Sequence, residues 1–110
     1  DSQYYQEVVE AVFFQPFDYD GVFAVDWLAI ECMNEALRRG YKVPRDICFV
    51  SYDGTFLTNV VEPRMTTIVQ PIAGLAKEAV RLLTDQIQGR KPQNKSVVLG
   101  VTLRKGHTTR

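Results

Sequence analysis

GVFAVDWLAIECMNEALRRGYKVPRDICFVSYDG, residues 21–54, decides the fold. GVFAV at 21–25 is a short apolar run of β-prone residues, and Asp26 after it is a good helix N-cap. Trp27, Ala29, Ile30, Met33, Ala36 and Leu37 then recur at helical spacing, so a strand runs directly into a helix. Arg38 and Arg39 fall in the last turn, where positive charge suits the helix dipole; Gly40 supplies the left-handed residue that closes a helix, and Pro44 punctuates the loop. ICFVSY at 47–52 is nearly continuous in apolar character, the pattern of a parallel strand covered on both faces, and Asp53-Gly54 breaks it.

Outward from this core the same alternation continues. Upstream, Tyr5, Val8, Val9, Val12 and Phe13 mark an amphipathic helix over 4–14, ended by Pro16. Downstream, residues 55–64 are irregular and run into Pro63, and TTIV at 66–69 is a further strand ended by Gln70-Pro71. Pro71 suits a first helical position, with Ile72, Leu75, Ala76, Ala79, Leu82, Leu83 and Ile87 along one face of a helix over 71–88. A polar loop follows at 89–95, and SVVLGVTLRK, 96–105, alternates as a last strand. The order predicts an α/β fold, a mostly parallel sheet flanked by helices. A helix opens the chain with no strand before it, and a fragment of a larger domain is expected.

Composition narrows the class. Hydrophobic residues make up 45% and charged residues 24% of the 110, which is ordinary globular usage. Thirteen basic residues balance thirteen acidic ones, so this piece carries no electrostatic footprint for DNA or anionic lipid. No stretch reads as a signal peptide or membrane span, and a cytoplasmic setting is expected. Cys32 and Cys48, with no second pair and no nearby His, read as buried free thiols rather than a metal site, and neither cofactor nor metal is expected.

In an open parallel sheet, ligands bind outside the carboxyl ends of the strands. Two such ends carry Val25-Asp26-Trp27 and Tyr52-Asp53-Gly54, so two carboxylates reach one edge. An ionised carboxylate can accept hydrogen bonds from two adjacent hydroxyls, the chemistry that polyol recognition requires. Asp26 also reads as an N-cap for its own helix, and Asp53-Gly54 as an ordinary turn. Gln70 ends a strand and can present its amide to the same edge, whereas Trp27 and Tyr52 suit packing better than sugar stacking. His107 has no nucleophile near it in sequence and reads as solvated. An enzyme reading comes from SYDGT, similar to the haloacid-dehalogenase-like phosphatase signature, but Ser51 stands where that family has its nucleophilic aspartate. No enzymatic activity is expected.

Residues 20–54, together with PRMTTIVQPIAGLAKEAVRLL at 63–83 and GVTLRKGHTT at 100–109, resemble the LacI/GalR regulator consensus in collinear order. The resemblance implies a class I periplasmic-binding-protein-like lobe. It makes residues 1–110 the C-terminal part of an effector domain, with the 71–88 helix belonging to the other lobe. It further implies a sugar or similar small polar effector in an interlobe cleft, a homodimer, and operator binding through a separate helix-turn-helix module. By resemblance Asp53 is the cleft aspartate and Gln70 matches the cleft glutamine of the related ribose-binding proteins, with Asp26, Val25 and Tyr52 around them. Val25 stands where members commonly have Asn or another small or polar residue. Ile30, Val61 and Trp27 fall on segments that form the family's dimer interface. A sugar-binding protein of a transport system shares the lobe, but Val-Pro-x-Asp-Ile at 43–47 and the Arg-Lys-Gly-His-Thr-Thr ending favour the regulator branch.

Overall fold

A computed structural model describes residues 2–14, 16–91 and 96–110. The elements run α1 (Ser2–Val12), β1 (Gly21–Val25), α2 (Asp26–Arg38), β2 (Cys48–Asp53), α3 (Leu57–Val60), β3 (Thr66–Val69), α4 (Ile72–Ile87) and β4 (Thr102–Arg104). The strands form one sheet in the order β1-β2-β3-β4, with β1–β2 and β2–β3 parallel. The α/β architecture with a mostly parallel sheet and flanking helices is therefore present.

The chain divides into two compact units, residues 1–69 with 103–110, and Gln70–Thr102. In the first unit α2 packs on β1 and β2, and α1 packs on α2. The core joins Val9 and Phe13 of the α1 region, Ala29, Ile30, Cys32, Met33 and Ala36 of α2, and Ile47, Phe49 and Met65. Of the spacing that predicts α2, Ala29, Ile30, Met33 and Ala36 form its buried face, whereas Trp27 and Leu37 are exposed. Its C-terminal end is tied to the chain after α1: Arg39 lies over the Phe13 ring at 5.0 Å and donates to the Phe13 carbonyl at 3.1 Å. Phe13 in turn stacks on Phe17 at 5.2 Å. Gly40, at φ 88°, takes the expected left-handed position.

The closing residues stitch the strands at their starting edge. The Thr108 hydroxyl donates to the Phe49 carbonyl at 2.6 Å and accepts from the Thr66 amide at 2.9 Å, while its carbonyl accepts from the Phe49 amide at 2.9 Å. Gly106 passes so close to Arg64 that an added Cβ would lie 2.3 Å from the Arg64 carbonyl oxygen.

In the second unit, α4 has no buried residue, and Ile72, Leu83 and Ile87 are exposed. Gly74 lies near Leu99, whose Cδ1 would stand 3.2 Å from an added Cβ.

Four expectations need adjustment. Residues 55–64 contain the one-turn helix α3, closed by the Thr58 amide and hydroxyl on the Thr55 carbonyl. Only Thr102–Arg104 of the 96–105 stretch is strand; residues 96–101 carry the alternation without a ladder, which needs a neighbour as well as a pattern. β2 is fully buried on one face only, at Phe49 and Ser51, and half-covered on the other. Pro71 is the N-cap of α4 rather than its first residue. Of the polar loop at 89–95, residues 92–95 lie outside the described residues.

Candidate functional site

The parallel register brings the ends of β1 and β2 to one edge of the sheet. Val25 pairs with Tyr52, Tyr52 with Ile68, and Asp53 with Val69. Val25, Asp26, Tyr52 and Asp53 are therefore neighbours at the carboxyl edge. Gln70 follows β3 directly and opens the second unit.

The two aspartates differ in surroundings. Asp53 is partly exposed and has φ 133°, a region that L-residues rarely occupy, and Gly54 follows at φ 74°. Gly54 is required here, because a Cβ would meet the Cα of Val69 at 2.7 Å. The turn thus lies pressed against the end of β3, and Asp53 carries backbone strain that its surroundings must hold.

Asp26 is only 3% exposed. It does not cap its own helix: the N-cap of α2 is Val25, and no side-chain capping bond forms there. Instead one carboxylate oxygen, Oδ2, accepts from the Thr55 amide at 2.7 Å and the Thr55 hydroxyl at 2.6 Å. The other, Oδ1, accepts from the Gly54 amide at 3.4 Å and lies 3.3 Å from the Thr67 hydroxyl. Thr67 also accepts from the Ser51 hydroxyl at 2.7 Å. Burial raises the Asp26 pKa, but hydrogen bonds from the Thr55 and Ser51 side chains and the Thr55 and Gly54 amides outweigh it, leaving the carboxyl below its ordinary value. The N-cap expectation fails because a neighbouring loop offers two amides and a hydroxyl, a better donor set than the helix's own first turn.

Ser51, at the position of the phosphatase nucleophile, is fully buried and donates to Thr67. Full burial denies its hydroxyl access to a substrate, which the phosphatase reading requires. His107 is exposed, with its amide donating to the Arg64 carbonyl at 2.7 Å. Cys32 is buried and Cys48 half-buried; both are free thiols, and burial, with Glu31 nearby, pushes Cys32 up to about 11.

Trp27 is half-exposed and packs against Tyr5 of α1 with ring centroids 6.4 Å apart. Val61 is partly buried against the core, and Ile30 belongs to the core itself, with 7% exposure and little surface to offer a partner. Sequence reasoning missed Thr55 and Thr67. No spacing rule points to either, since each matters only because the sheet brings it to Asp26 from 29 and 41 residues away.

The periplasmic binding protein-like domain model matches residues 4–109. Among curated relatives, the HTH-type transcriptional repressor CytR of Escherichia coli is 40% identical over 65 residues, covering 59% of this chain and 19% of that protein. Among solved structures, a CelR–cellobiose complex superposes with a TM-score of 0.81 at 28% identity, over 94% of this chain and 31% of that one. The Lac repressor dimer bound to operator and the anti-inducer ONPF gives 0.87 at 25% identity, over 99% and 38%. The chain belongs to the periplasmic-binding-protein-like domain family, and the relatives named above are transcriptional regulators. It spans about a fifth of the length of the CytR protein that it matches. These relatives are regulators, not enzymes.

Proposed function

We propose that this chain is the effector-sensing and dimerisation part of a LacI/GalR-type transcriptional regulator acting in the bacterial cytoplasm, its ligand a sugar or a similar small polar molecule. The observation that carries the reading is the Asp53 turn: a partly exposed carboxylate held at φ 133° on the carboxyl edge of a parallel sheet. In this reading Asp53 accepts hydrogen bonds from ligand hydroxyls, and Val25 and Tyr52 line the approach. The apolar Val25 offers no hydrogen bond at its position, which narrows the ligands that fit. The complex of CelR with cellobiose supports a carbohydrate as the ligand class.

The exposed apolar face of α4 supports assigning that helix to the other lobe of the intact protein, since a 16-residue amphipathic helix with no buried residue lacks its packing partner here. Dimerisation uses the surface of α2 around Trp27 and the segment at Val61, with Ile30 supporting them from beneath. Ligand binding shifts the balance between two arrangements of the lobes and so alters operator binding by a separate helix-turn-helix module. Calorimetry of the native-length protein against a panel of pentoses, hexoses and disaccharides tests the site. Asp53→Ala is expected to weaken the sugar that binds by tenfold or more, the size of one hydrogen bond to a charged group. Unchanged affinity removes Asp53 from the site.

A further inference from the structure

We propose that Asp26 acts as the positioning residue of this site, clamping the Asp53-Gly54-Thr55 turn in its binding geometry without touching the ligand; the inference rests on the reading of Asp53 given above. Asp26 is nearly inaccessible, and both its oxygens are occupied by groups of the protein. It has nothing left to offer a ligand. What it holds are the two residues after Asp53, through the Gly54 and Thr55 amides and the Thr55 hydroxyl.

The backbone of Asp53 and Gly54 runs through two successive positive φ values, so the turn does not hold itself. On one side Val69 walls it at Gly54, and on the other Asp26 draws the amides toward the start of α2. Thr67 and Ser51 extend the clamp across β3 and β2 to the same carboxylate. Loss of the clamp leaves Asp53 present but spread over several orientations, and a ligand must then order it on binding.

The test uses the native-length protein with Asp26→Asn, Thr55→Val, Thr55→Ser and Thr108→Val. Thr108 is a buried hydrogen-bonded threonine at the opposite edge of the sheet, and Thr108→Val controls for general loss of stability. Two quantities are read: hydrogen exchange at the Gly54 and Thr55 amides, and the Kd of the tightest ligand from a panel of D-ribose, lactose, cellobiose and sucrose. Asp26→Asn and Thr55→Val are expected to speed exchange and weaken binding about tenfold, with Thr55→Ser near wild type and Thr108→Val without effect on Kd. If Asp26→Asn does not fold, Thr55→Val against Thr55→Ser decides. Unchanged exchange or affinity in Thr55→Val, or equal weakening by Thr108→Val, overturns the clamp. Should Asp53→Ala bind normally, or wild type bind no sugar of the panel, the ligand reading fails and the positioning role fails with it. Loss of binding in Asp53→Ala beside normal binding in Thr55→Val sinks the clamp alone.

Discussion

Asp26 carries a stability that depends on protonation. Its folded pKa lies below the ordinary value because hydrogen bonds to the ionised form outweigh burial. A lowered carboxylate pKa stabilises the fold above the unfolded value, about 3.9, and that contribution disappears as pH falls through the lower folded value. Urea unfolding of Asp26→Asn between neutral and acid pH should therefore show a smaller acid loss than wild type, with lower stability at neutral pH. A steeper acid loss in the variant contradicts the assignment. Gly106 is constrained by space alone: an added Cβ meets backbone, which cannot rotate away. Gly106→Ala should cost about 1–3 kcal/mol, read as a lowered denaturation midpoint at unchanged m-value. At this scale the sequence was partly legible. Asp53 stood out because Asp-Gly after an apolar run marks a turn at a strand end. The partners of Asp26 did not stand out, because hydrogen bonds across 29 and 41 residues leave no local trace.

Among the elements, α2 and α4 share a pattern and differ in fate. Both place apolar residues at helical spacing, but α2 buries Ala29, Cys32, Met33 and Ala36 whereas α4 buries none. Met33→Ala should cost about 2–5 kcal/mol, as large-to-small changes at fully buried sites do. Leu83→Ala in these same 110 residues should stay within about 0.5 kcal/mol, as at a surface position. Thermal or urea unfolding of the two variants side by side checks the contrast. Elements were the most legible level, since periodicity reports the face that a helix or strand is built to bury. It does not report whether a partner is there, which is why 96–101 alternates without forming a ladder.

For the whole molecule, unpartnered apolar surface is the main consequence. The first unit exposes Phe23 and Val25 of β1 and the Trp27 side chain; the second exposes Ile72, Val80, Leu83 and Ile87 of α4. Exposed apolar surface on this scale drives association. These 110 residues expressed alone should bind a hydrophobic dye and elute as more than a monomer in size-exclusion chromatography, while the native-length protein shows much weaker dye binding. Equal dye binding by both would mean that the surface is exposed in the intact protein too. The sequence by itself determined the order of the strands and of the three longer helices, the turn at Asp53 and the kinship, because each is written in local periodicity, turn chemistry or collinear motif. Only the tertiary structure decided that Asp26 turns from its own helix to the neighbouring loop, and that Ile30 lies in the core. Those outcomes depend on which chain segments the parallel sheet brings within hydrogen-bond or packing distance, and no short stretch of residues encodes that.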